Sequence, residues 1–251
     1  MAMTEAATES EPLGDFRPYR MSIDRYERLV ESGVYRAKSP IFLWHGRLVE
    51  KIKEGSEPRA DGDFPEHRMT VDRFLRLIEA GVFGEDEKIF LWRGRLVEEM
   101  PKGRRHSFTA VKLEHILIRL LPEGVHVELE QPMVLGNDSL PEPDLMVLRG
   151  TIDDYRDRIP TVRDVPLLVE VADSSVAFDS VTKLKMYAAE GVPVYWIVNI
   201  PGRRIQVYAR PSGPSESPSY GECREYGPDD EVPVVLDGRE VGRIAAREVL
   251  P

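Results

Sequence analysis

Apolar runs broken by single charges mark the centre of this chain. Residues 141–199 read PEPDLMVL, a polar connector, PLLVEVADSS, VAFDSVTKLKMYAAEG and VPVYWIVN. The first two runs are strand-like, and each carries one acid, Asp144 or Glu170. A segment of helical spacing follows, with Asp179, Lys183 and Tyr187 four apart and therefore on one stripe. A third apolar run over 192–199 predicts another strand. An acid inside a buried strand is costly unless it is paired, hydrogen-bonded or metal-bound. Function is therefore to be sought here first.

Upstream, the pattern repeats. Residues 20–52 match residues 68–100 without a gap at a constant offset of 48. Each copy predicts a helix followed by a hairpin. Ser22 and Thr70 suit N-caps, with Met21/Tyr26 and Met69/Phe74 as hydrophobic staples. Gly33 and Gly81 sit where a left-handed C-cap is wanted. IFLW and the RLVE run are separated by His45-Gly46 or Arg93-Gly94, which suits a two-residue turn. Two copies are too few for a solenoid. The charged stretch 53–63 reads as a linker, and 1–15 as a disordered tail.

Beyond the second copy, Leu113, Ile116, Leu117, Leu120 and Leu121 predict a helix over 104–121, stopped by Pro122-Glu123-Gly124. Residues 125–135 read as strand interrupted at Pro132. After 192–199, a partner strand is expected at 204–210 across Pro201-Gly202, and 211–219 is a Pro/Ser-rich loop. Short strands at 223–226 and 232–236 are expected to finish the sheet. These elements predict an α/β or α+β domain around a mixed central sheet. Its expected boundaries are a tail at 1–15, the first repeat and linker at 16–63, and the main domain at 64–251.

Composition narrows this picture. At 251 residues and 41% hydrophobic, the chain can bury a sizeable core. A net charge of -10 argues against a generally basic nucleic-acid coat, though a local basic cleft or metal ions can coexist with it. The single Cys223 excludes an internal disulfide and a cysteine-rich zinc site. No apolar run approaches the roughly 20 residues that span a bilayer, and 1–15 lacks the features of a signal peptide. The expectation is a cytoplasmic protein with no membrane partner.

Asp144 and Glu170 come from successive strands, so the two carboxylates can lie side by side and would then need a cation. Without cysteine or paired-histidine motifs, a hard divalent ion such as Mg²⁺ is the natural candidate. Lys183 can face the same point and stabilise charge on a transferring phosphoryl group or orient a water. Taken alone, a strand-end glutamate beside a lysine-bearing helix is a surface ion pair worth about 0–1 kcal/mol. His106, beside Lys102, Arg104 and Arg105 near a helix start, can contact phosphate or form a solvated basic turn. His115 and His126 lack ligand spacing, and Trp44, Trp92 and Trp196 fit sheet faces.

EPD (142–144), LLVEVADSS with Glu170, D-x-x-x-K-L-x-x-Y (Asp179, Lys183, Leu184, Tyr187) and G-V-x-x-Y-W (Gly191, Val192, Tyr195, Trp196) together resemble the Uma-type restriction endonuclease family of bacteria. That family is similar to the PD-(D/E)xK nuclease superfamily. The resemblance extends over 88–210 and includes the R-L-V-E-E-M-P stretch and His106. It implies a restriction-endonuclease-like mixed sheet flanked by helices and Mg²⁺- or Mn²⁺-dependent hydrolysis of phosphodiesters in DNA. Asp144 and Glu170 would bind the metal, with the Val171 backbone carbonyl as a further ligand. Lys183 would be catalytic, with His106 and Asp179 in support.

The chain departs from the pattern at two points. Ala172 lies two after Glu170, so the lysine must come from the helix, and Phe90 or Leu91 stands where members often carry an acid. The alternative is an inactive nuclease-fold module that dimerises or binds a partner through its N-terminal repeat. A homodimer is the expected assembly.

Overall fold

A computed structural model of the chain describes residues 16–36, 38–51, 64–84, 87–99 and 101–250. The tail expected at 1–15 and the linker at 53–63 lie outside the described residues.

The centre is a six-stranded sheet of β6 (Val125–Leu129), β7 (Leu145–Arg149), β8 (Leu167–Ala172), β9 (Val194–Asn199), β10 (Arg204–Pro211) and β11 (Tyr220–Tyr226), paired in that order. All neighbours are antiparallel except β8 and β9. Alternate residues enter two cores, which is why β7, β8 and β9 are buried along almost their whole length and mostly apolar. One core joins Leu145, Val147, Val169, Val171 and Trp196 to Ala110, Leu113 and Leu117 of helix α3 (Arg104–Leu120). The other joins Met146, Leu168, Ala172, Tyr195 and Ile197 to Met186 and Tyr187 of helix α4 (Leu184–Glu190), and to Phe90, Trp92 and Val97.

Those last three belong to the hairpin of β4 (Ile89–Trp92) and β5 (Arg95–Glu99), to which β1 (Phe16–Pro18) adds a third strand. Helix α2 (Val71–Glu79) precedes this hairpin, as α1 (Ile23–Glu31) precedes the hairpin of β2 (Ile41–Trp44) and β3 (Arg47–Glu50). The caps follow the sequence. The Ser22 hydroxyl accepts from the Arg25 N–H at 3.3 Å, and that of Thr70 from Arg73 at 3.4 Å. Gly33 and Gly81 take φ of 68° and 66°, just past the helix ends. Positive φ at His45, Gly46, Arg93 and Gly94 makes both hairpin turns of the two-residue primed kind.

Two expectations need correcting. Only β11 joins the main sheet; β12 (Glu231–Leu236) pairs instead with a further strand, β13 (Arg239–Ala245), in a separate hairpin. With helix α5 (Ala246–Val249), that hairpin covers the face that α3 leaves open, through Val232, Val234, Ile244 and Val249. The segment carrying Asp179 and Lys183 is also not regular α-helix. Residues Phe178–Lys183 form a π-helical turn that runs into α4, a local widening common at functional sites.

Candidate active site

The register of β7 against β8 pairs Leu145 with Val169. One step further along the same ladder, Asp144 faces Glu170, and opposite residues of an antiparallel pair share a face. Both acids therefore enter the core that holds Met146 and Leu168, at 3% and 2% exposure. Neither could stay ionised there without partners, and each has its own set.

Asp144 is surrounded by donors. Its Oδ2 accepts from the Val171 N–H at 2.7 Å and from His106 Nε2 at 2.9 Å, and its Oδ1 from Lys102 Nζ at 2.9 Å. An ionised carboxylate only accepts, so Nε2 carries the hydrogen of His106. Burial alone would raise the Asp144 carboxyl, but His106 and Lys102 outweigh it and hold it well below the usual range. Lys102 also reaches Glu130 Oε1 at 3.0 Å, so its ammonium lies between two carboxylates. His106, Glu130 and Asp144 offer ligand atoms all within 4.8 Å of one another.

Glu170 has the second set. Tyr187 donates its hydroxyl to Oε1 at 2.8 Å, and Lys183 Nζ lies 3.0 Å from Oε2. The same ammonium lies 3.1 Å from Asp179 Oδ1, while Ser175 donates to Asp179 Oδ2. Burial, opposed by Lys183, pushes Glu170 up to about 8, and burial likewise raises Asp179. Lys183 is itself raised, because its acidic neighbours outweigh its own burial. These directions are compatible. One ammonium offsets only one carboxylate, so burial still raises both Glu170 and Asp179.

The two sets meet at a cavity of about 240 Å³ lined by Phe16, Lys102, His106, Asp144, Ser175 and Lys183, among others. A wider cavity of about 640 Å³ shares Pro101 and Lys102 with it, and Arg17, Lys88 and Glu130 line its walls. The π-helical turn is fixed over the site by the Tyr195 hydroxyl, which donates to the Asp179 carbonyl at 3.1 Å.

All five side chains singled out from the sequence thus lie in one region. The Lys183 ammonium reaches Glu170 from the turn after the strand, while Ala172, two residues after Glu170, is fully buried in the same core. Of Val171, it is the amide N–H that meets Asp144. Phe90 packs in the core at 4% exposure, with no acid in its place. Glu130, Ser175 and the position of Lys102 were not foreseen. Glu130 had one faint signal, as an acid inside the 125–135 run that precedes the Asp144 strand in sequence. The ladder of β6 and β7 carries it there, and its N–H bonds the Asp144 carbonyl at 3.1 Å.

Residues 71–239 match the Uma2 family, described as "putative restriction endonuclease". The chain belongs to this family. Among solved structures it is similar to one described as a putative nuclease belonging to DUF820, from Anabaena variabilis. The similarity has a TM-score of 0.53 at 19% identity, over 72% of this chain and 97% of that one. At that identity the likeness is one of fold. No curated protein matches the chain. Among its described residues, no helix is long and apolar enough to cross a membrane.

Proposed function

We propose that this Uma2 chain is a metal-dependent endonuclease that hydrolyses phosphodiester bonds in DNA. The observation that carries the reading is the cavity that Asp144 and Lys183 line together, with Glu170 on the neighbouring strand 3.0 Å from the Lys183 ammonium. The donor set fits a hard cation. It offers carboxylates and an imidazole without thiolate, and the Lys102 ammonium already marks a position of positive charge between Asp144 and Glu130. Asp144 and Glu170 would hold Mg²⁺ or Mn²⁺, with the Val171 carbonyl as a further ligand and Glu130 within reach of the same cluster. The ion would supply Lewis acidity and a water of lowered pKa.

The remaining roles belong to the chain itself. Lys183, gripped by Glu170 and Asp179, presents a fixed ammonium to charge developing on a phosphoryl oxygen. Asp179 positions that lysine and is itself held by Ser175. His106 orients the Asp144 carboxylate, as partners of metal ligands commonly do. Residues 64–251 would form the nuclease domain, and 16–63 an extension carrying the first copy of a duplicated helix-hairpin.

Supercoiled plasmid provides the test. The protein should nick or linearise it with Mg²⁺ or Mn²⁺ but not with chelator, and Asp144→Ala should abolish cutting while leaving the fold intact. One observation favours an inactive binding module instead: both oxygens of Asp144 are already satisfied by protein donors. Titration calorimetry separates the two readings, since an inactive module of this kind would take up neither metal.

A further inference from the structure

A set of contacts recurs at the 48-residue offset, and it crosses between the two helix-hairpins. Pro18 pairs with Val97, and Glu66 pairs with Val49. The Tyr19 N–H bonds the Leu96 carbonyl at 3.0 Å, and the His67 N–H bonds that of Leu48 at 2.9 Å. The Tyr19 and Phe83 rings meet edge to face at 6.0 Å, as His67 and Tyr35 do at 5.4 Å. Phe16 lies 5.3 Å from Trp92, and Phe64 lies 5.3 Å from Trp44. In each case the segment leading into one helix packs on the other unit, and its backbone bonds extend that unit's hairpin.

This is the pattern of an isologous interface, in which residue i of one unit meets j of the other and j meets i. Neither unit is complete alone. The outer edges of β3 and β5 carry backbone groups that the other unit's leading segment satisfies, and an open edge invites pairing with another chain. The two units also share one core, in which Leu29 and Leu48 pack with Phe74, Leu77 and Leu91. The equivalence ends at the nuclease core. Trp44 is 43% exposed, whereas on the other side Phe16 packs at 5.6 Å against Phe178, and its ring lies 6.0 Å from Lys183 Nζ. The family match begins at residue 71, after the first unit.

We propose that the first helix-hairpin is a built-in partner. It fills, within one chain, the surface that the second would otherwise offer to another copy of the protein, and its leading strand sets Phe16 over Lys183 to close the candidate site. The homodimer expected from the repeat is then replaced by a pairing inside the monomer. The pairing stands whether or not the chain cuts DNA; only the meaning of the closed site rests on the nuclease reading.

The test uses the full chain and no activity assay. Arg17 and Glu98 face each other across β1 and β5, so Arg17→Cys with Glu98→Cys, in a Cys223→Ser background, should be joined by a short bis-maleimide within one chain. The product should run as a monomer in denaturing gels, and the wild type should sediment as a monomer over a hundredfold range of concentration. Links between chains, or a dimer that survives dilution, would overturn the proposal. If the cysteine pair does not fold, wild-type sedimentation decides alone. For the closed site, Phe16→Ala with an unchanged circular dichroism spectrum should speed hydroxyl-radical labelling of Phe178, which packs against Phe16 and lines the same cavity, severalfold, read by peptide mass spectrometry. An unchanged rate would remove the closing role.

Discussion

Raising the pH of the metal-free protein ionises Glu170 inside the sheet, and the fold should feel it. Burial lifts this carboxyl from an ordinary 4.5 to about 8. Between those values the folded chain holds a proton that the unfolded chain has lost. Stability is therefore fully present below about 4.5 and declines as pH rises through about 8. Each pH unit in the window is worth about 1.4 kcal/mol for one proton, which caps the loss at about 5 kcal/mol. That is a large share of the 5–15 kcal/mol typical of a whole domain.

The neighbouring groups do not cancel this trend. Lys183 is raised, so its contribution is lost only above the ordinary lysine range. Asp144 is lowered, so its contribution is present above 3.8 and lost only as pH falls below that. Urea unfolding in chelator, followed by tryptophan fluorescence at stepped pH, reads the slope directly. The expected result is a fall of several kcal/mol across the window and a much flatter curve for Glu170→Gln. A flat or rising wild-type curve, or an unchanged slope in the variant, would refute the reasoning.

Further expectations follow from single contacts. Lys102→Met removes the ammonium between Asp144 and Glu130 and should tighten Mn²⁺ binding by about tenfold, or about 1.4 kcal/mol; unchanged or weaker binding in calorimetry would contradict this. Gly33 and Gly94 both have positive φ, but an added Cβ meets nothing at Gly33 and lies 3.0 Å from the Arg68 Cβ at Gly94. Gly33→Ala should cost about 1–2 kcal/mol of conformational strain. Gly94→Ala should cost clearly more in the same unfolding assay, and equal losses would show that the crowding does not matter.

How much of this was readable in advance differs from residue to residue. The strands bearing Asp144 and Glu170 were legible because both faces of the sheet are covered, which makes an interrupting acid conspicuous. The helix-hairpins were legible because caps, turn glycines and apolar spacing agree within each copy. Lys102 was not, since a basic turn looks the same whether it faces water or a buried carboxylate. Glu130 depends on the pairing of β6 with β7, a long-range register that no local pattern encodes. The π-helical turn escaped because Asp179 and Lys183 share a stripe in either kind of helix. The position of β12 escaped because edge pairing depends on which surfaces α3 leaves bare.

Cleavage of supercoiled plasmid by wild type and Lys183→Met, side by side in Mn²⁺ buffer, tests the nuclease reading most directly. Removing the lysine leaves Glu170 and Asp179 buried without their ammonium, so the variant is first checked for a cooperative unfolding transition. Metal-dependent cutting by the wild type, and a rate at least a hundredfold lower in a folded variant, is the predicted result. Wild type that binds metal yet leaves the plasmid intact, or a folded variant that cuts equally fast, would contradict it.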